Sequence, residues 1–215
     1  LLYIPLMPDP GTFIVLDGTE GCGKSTQARL LEQKLTALGR PVLLVRDPGT
    51  TPIGEQIRAI LLDPAHAEMS MRCEMLLYMS ARAQMMAEVL QPALDKGMIV
   101  ISDRFVSSTL AYQLNGDNLT APEIRAIANI AIKSRWPDLT LLLDLPADQS
   151  LARVQRAKDR IEQRPMEYHE QVRKNYLAQA KEDPTHYRLI NAAQSPEEVA
   201  TEIWRQVASL LAIDN

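Results

Sequence analysis

Residues 18–25 read Gly18-Thr19-Glu20-Gly21-Cys22-Gly23-Lys24-Ser25, directly after the apolar run Phe13-Ile14-Val15-Leu16 and directly before a helical pattern running from Lys24 to about Leu38. Glycines at this spacing let successive backbone N–H groups turn inward around phosphate oxygens, and the helix N-terminus adds positive potential. Lys24 then reaches the β- and γ-phosphates, and the Ser25 hydroxyl is placed for Mg²⁺. The strand, glycine turn and helix together predict a P-loop that binds a nucleoside triphosphate with Mg²⁺, with Thr26 in the first helical turn and Asp17 ending the strand. Cys22 occupies a position where any small residue serves. Glu20 is an acid inside an anion-binding loop, and it calls for a basic partner from elsewhere in the chain.

Outward from this loop, short apolar runs alternate with long helical patterns. The runs are Val42 to Val45, Met98 to Ile101, Leu139 to Leu143 and a weaker Tyr187 to Ile190. Nearly continuous apolar strands separated by helices predict an α/β fold, with a five-stranded parallel sheet covered by helices on both faces. Helix starts are marked at Thr120-Ala121-Pro122-Glu123 and Ser195-Pro196-Glu197-Glu198, where proline stands early in the helix and the acid faces its N-terminus. A helix predicted from about Glu68 to Lys96 carries Met69, Met71, Met75, Met79, Met85 and Met86. It is apolar on more than one face, which fits a central core helix or one that also packs on a second subunit.

The 215 residues suit one domain, read as residues 12–215 after a tail at 1–11. With 46% hydrophobic and 23% charged residues the chain has a globular composition, which excludes disorder and fibrous repeats. A net charge of −4 disfavours nucleic acid as a partner. The apolar opening lacks a basic flank and is broken by Pro5, Pro8 and Pro10, so it predicts neither a signal peptide nor a membrane span. Two cysteines fit a reducing cytoplasm.

Reaction type follows from charge placement. The guanine-selecting N-K-x-D string of switch proteins is absent. The third strand ends in Asp103-Arg104-Phe105, an acid that can orient Mg²⁺ beside an arginine that can hold a second anion. Arg153, Arg156, Arg160 and Arg164, spaced 3, 4 and 4, would line one helix face. Arginines late in such a chain suit a lid, at about 153–165, that closes on a transferred phosphoryl group. In this reading Arg156 reaches that group while Glu20 pairs with a lid arginine, Arg153 or Arg156. No base stands out among His66, His169 and His186, and transfer to a nucleoside monophosphate needs none, because the acceptor phosphate is ionised near pH 7. A different nucleoside monophosphate kinase and an ATP-dependent switch module remain the alternatives.

Taken together, the motifs resemble the bacterial thymidylate kinase family from Phe13 to the last helix. The shared strings are the acidic P-loop, Arg46-Asp47-Pro48-Gly49, Ile57-Arg58, Ala81-Arg82-Ala83-Gln84, Asp103-Arg104-Phe105, Ser108 to Gln113 and Asp159 to Gln163. The resemblance implies phosphorylation of dTMP to dTDP by Mg-ATP in a homodimer built on the methionine-rich helix. It implies that Arg58 and Arg104 clamp the acceptor phosphate, that Arg82 reads the thymine edge, and that Thr109 and Gln113 line the base pocket. Gln113 is expected to offer a donor to a pyrimidine carbonyl. Tyr78 stands where the family stacks a phenylalanine, Arg46 lies beside the Pro48-Gly49 turn that shapes the acceptor site, and Tyr112 is a wall against ribonucleotides. Ser25 and Asp103 would serve Mg²⁺, with Asp17 a further metal or substrate candidate and Ser108 a substrate contact. Arg153 and Arg156 match lid and adenine-side arginines, and Glu162 an acid facing the sugar. The chain departs from the pattern at Thr50, where a second glycine is usual, at Phe105, and in a lid about two residues short.

Overall fold

The computed structural model describes residues 11–155 and 157–213. Five strands form one sheet: β1 (Phe13–Gly18), β2 (Val42–Arg46), β3 (Ile99–Asp103), β4 (Leu139–Asp144) and β5 (Tyr187–Asn191). All pairings are parallel, in the order β2-β3-β1-β4-β5. Phe13 and Val15 point into one core and Ile14 and Leu16 into the other, which is why the strand reads as continuously apolar.

On one face lie α1 (Lys24–Ala37) and α9 (Pro196–Leu210). The opposite face carries α3 (Met71–Met85), α4 (Gln91–Asp95), α5 (Val106–Tyr112) and α6 (Ala121–Ala131). Beyond these are α2 (Pro52–Leu62), α7 (Ala147–Ala152) and α8 (Met166–Glu182). Thr120 with Glu123, and Ser195 with Glu198, form the capping boxes that the sequence marked, each contributing about 1 kcal/mol.

The long methionine helix is not continuous. Residues Met86–Leu90 form a wider π-helical turn between α3 and α4. Pro92 has no N–H to donate and its ring crowds the preceding turn, so the ladder loosens just ahead of it. Met75, Met79, Met85 and Met86 are all buried. Gly11, assigned to the tail, is buried as well: its N–H donates to Leu94 O, and its carbonyl accepts from Arg135 Nη2. The rest of the expected tail, residues 1–10, lies outside the described residues.

The three described lid arginines, Arg153, Arg160 and Arg164, do not share a helix face. The helix α7 ends at Ala152, and the chain from Arg153 to Pro165 runs in turns, apart from Arg156, which lies outside the described residues. Four like charges in one row would repel, and the described three are held by groups elsewhere in the chain. Arg153 donates to Ala192 O at 3.3 Å, whereas Arg160 and Arg164 both reach Glu74.

Candidate active site

The helix α1 carries the chain from β1 past β3 to β2, so a crevice opens at the carboxyl ends of β1 and β3. The glycine loop sits there. Gly18, Gly21 and Gly23 have φ of 140°, 76° and 98°, all in the region that side chains avoid. At Gly21 a Cβ would also strike the Ser150 carbonyl, so glycine lets α7 pack directly on the loop. Ser150 Oγ fastens that contact through Thr19 Oγ1 at 2.8 Å and the Glu20 carbonyl. Lys24 Nζ lies over the loop, donating to Gly18 O at 3.1 Å and Thr19 O at 2.6 Å, with Cys22 Sγ at 3.6 Å.

Ser25 Oγ donates to Asp103 Oδ2 at 2.5 Å. The β1–β3 register sets Asp103 beside Leu16, and the β2–β3 register sets it beside Arg46. A hydroxyl and a carboxylate are hard oxygen donors of the kind Mg²⁺ takes alongside phosphate oxygens, and the pair fits that ion. Thr26 is exposed in the first turn of α1.

Two pockets meet at this crevice. The first, about 590 Å³ including space open to solvent, is walled by Tyr78, Arg82, Thr109, Tyr112 and Gln113. The second runs along Gly21, Lys24, Ser25, Asp103 and Arg153. Glu20, Asp47, Arg58, Arg104 and Glu162 line both.

Arg104 dominates this junction. Its φ of 74° is a left-handed conformation that a side chain adopts only when its surroundings hold it there. Nη1 donates to Gly18 O, Ser108 Oγ, Asp17 Oδ1 and Tyr176 OH at 2.9–3.2 Å, and Nη2 donates to Glu20 Oε1 at 3.1 Å. Burial alone would raise the Glu20 pKa, but Arg104 and then Lys24, with a 2.6 Å hydrogen bond from Tyr112, hold it below the ordinary value. The cation facing Glu20 is therefore Arg104, and the expected pairing with Arg153 is not formed.

Asp17 hydrogen-bonds groups other than Ser25. Its two oxygens accept from Ser107, Ser108, Tyr176 and Arg104, which makes it an anchor of Arg104. Arg82 is fully buried: Nε donates to Asp47 Oδ2, Nη1 to Thr109 Oγ1 and Nη2 to Phe105 O. Gln113 also differs from expectation. Its Nε2 is committed to Glu74 Oε1 at 2.6 Å, so the atom it leaves unpaired is the acceptor Oε1.

Arg58 donates to Pro48 O, and Arg46 is held on Glu55 at 2.9 Å. Thr50, at φ 70°, takes the left-handed conformation for which a glycine is usual. Its N–H on Glu55 and its hydroxyl's exchange with the Arg46 backbone offset that cost.

Three site residues escaped sequence reasoning. His169 is buried, with both ring nitrogens unpaired and Nδ1 3.9 Å from Glu20 Oε2; nothing in its neighbourhood of the sequence marks it. Tyr176 is visible only as part of an amphipathic helix. Glu74 had a signal, since it precedes Tyr78 and Arg82 by one and two helical turns and so lies on the same stripe.

A parallel sheet with a phosphate cradle and an adjoining cation-lined pocket defines the class of P-loop kinases. The thymidylate kinase family model matches residues 16–203. A thymidylate kinase of Desulforudis audaxviator is 43% identical over 94% of this chain and 92% of its own, and one of Pseudomonas syringae pv. tomato is 43% identical over 94% and 97%. The crystal structure of thymidylate kinase from Ehrlichia chaffeensis superposes with a TM-score of 0.74 at 27% identity, covering 92% of this chain and 99% of that one. The chain belongs to the thymidylate kinase family.

Proposed function

We propose that the protein transfers the γ-phosphoryl group of ATP to dTMP, yielding ADP and dTDP. The carrying observation is the pair Arg58 and Arg104, which lines both pockets at their junction. An acceptor phosphate gripped there faces the end of a triphosphate lying in the glycine loop. An oxygen of dTMP attacks the γ-phosphorus as the bond to the β–γ bridging oxygen breaks, and Lys24, Arg104 and Arg58 stabilise the spread charge. The proposed role of Arg156 is to reach the same group from the lid. Catalysis is positioning and electrostatics, with no covalent protein intermediate. Ser25 and Asp103 would hold Mg²⁺, which when bound neutralises charge on the phosphates. A switch module that holds ATP for a partner protein has no use for two arginines between pockets.

In the acceptor pocket Tyr78 stacks on the base, and Arg82, locked by four hydrogen bonds, presents its remaining N–H to the base edge. Gln113 Oε1 accepts from the pyrimidine N3–H, and Glu162 faces the sugar. In a coupled ADP-release assay dTMP is expected to be the best acceptor, with dUMP poorer in kcat/KM by about 10- to 200-fold for its missing methyl. Purine monophosphates are expected to be inert, and equal turnover of AMP or GMP would reject the assignment.

A homodimer is proposed on α2 and α3, which pack together and leave Ile53, Ile60 and Leu76 40–50% exposed. Sedimentation at micromolar concentration is expected to show about twice the 24.0 kDa chain mass; a monomer would refute the dimer. Placement in the cytoplasm is proposed from the two free cysteines; among the described residues no helix is long and apolar enough to cross a membrane.

A further inference from the structure

We infer that Glu74 is the residue that decides which pyrimidine the acceptor pocket takes, by fixing the amide of Gln113; the inference rests on the acceptor pocket proposed above. Glu74 is fully buried on α3. Its Oε1 accepts from Gln113 Nε2 at 2.6 Å, and its Oε2 accepts from Arg160 Nη2 at 2.5 Å and Arg164 Nη2 at 2.7 Å. An amide can turn either end toward a ligand, but a carboxylate bound to two guanidiniums only accepts. Gln113 must therefore give it the NH₂, and the carbonyl oxygen is left buried and unpaired at the wall of the first pocket. That oxygen complements an N3–H, as in thymine and uracil, and opposes the N3 lone pair of cytosine. Flipping the amide to suit cytosine would set carbonyl against carboxylate.

The same carboxylate seats the segment that crosses both pockets. Arg160 is buried and also donates from Nε to Leu61 O, and the residues after it, Ile161 and Glu162, line the first pocket. Glu74 thus joins base choice to the position of the lid, acting through Gln113 and the two arginines without touching substrate.

The test is Glu74→Gln, with Kd for dTMP, dUMP and dCMP measured by calorimetry so that the readout survives a loss of turnover. The neutral side chain lets Gln113 turn over. The dCMP-to-dUMP ratio of Kd is expected to fall at least tenfold, with ATP affinity unchanged. Arg164→Gln, which loosens only the lid arm, is expected to weaken dTMP binding and leave the ratio intact. An unchanged ratio in Glu74→Gln, equal loss of all three ligands, or the same fall in Arg164→Gln would overturn the inference. If Glu74→Gln does not fold because Arg160 is left buried without its partner, Glu74→Gln/Arg160→Met removes that charge and is expected to show the same fall. Failure of both to fold makes Glu74 structural only and overturns it. A wild-type protein that does not bind dTMP would instead refute the acceptor pocket itself.

Discussion

Replacing Arg104 by alanine is expected to lower kcat/KM for dTMP by about 10³-fold or more, while ATP binds as in the wild type. Arg104 spans the junction of the two pockets and grips Asp17 on one side and Glu20 on the other. The substitution removes half of the phosphate clamp and also leaves two acids without their cation, so the pocket becomes repulsive to a dianionic acceptor. Arg104→Lys is not expected to restore activity, because an ammonium is a point charge and cannot bridge both carboxylates and a phosphate. Steady-state kinetics and separate calorimetric titrations with dTMP and ATP decide the matter. Loss of ATP affinity with dTMP binding preserved would show that the pockets are assigned in reverse. For stability, Glu20 has its pKa lowered in the fold, chiefly by Arg104 acting against burial. The stability this pair contributes is present above the unfolded glutamate value of about 4.3 and is lost as pH falls through the lower folded value. The deficit of Arg104→Ala relative to wild type is therefore expected at neutral pH and to narrow in acid.

Arg82→Ala is expected to cost about 3–5 kcal/mol of folding stability at neutral pH, because it leaves Asp47 buried without a cation. The Asp47 shift is opposite in sign to that of Glu20, yet the deficit of the variant again grows with pH. Burial raises the Asp47 pKa above its ordinary value even against the opposing pull of Arg82. Without Arg82 the folded pKa climbs further. Stability tied to the protonated form is complete below the unfolded aspartate value of about 3.9 and is lost as pH rises through the folded pKa. Urea unfolding of wild type and variant at pH 5 and pH 8 is expected to show the larger difference at pH 8. Equal differences at the two pH values would mean that Asp47 has another partner once Arg82 is gone.

What is readable along the chain, and what is not, divides by the range of the interactions involved. The central strands β1, β3 and β4 were legible as apolar runs because both sheet faces are covered there, so burial acts on nearly every residue rather than on alternate ones, whereas the edge strands β2 and β5 each bury only one residue fully. The glycine loop was legible because its chemistry is local: Gly21 and Gly23 need backbone angles that other residues resist, and Lys24 and Ser25 follow on the same turn. Capping at Thr120 and Ser195 likewise involves partners three residues apart. The lid was misread where a local rule was stretched. A spacing of 3, 4 and 4 among arginines aligns them only if a helix forms, and Glu74, 86 residues from Arg160, offered a better partner than solvent. Glu20 pairs with Arg104 across 84 residues, Asp17 with Tyr176 across 159, and Gln113 with Glu74 across 39. Periodicity and turn stereochemistry are properties of near neighbours and can be read in order. Which buried acid meets which arginine, and which end of the Gln113 amide Glu74 takes, was decided only when packing brought distant segments together and most buried charges and donors were matched with partners.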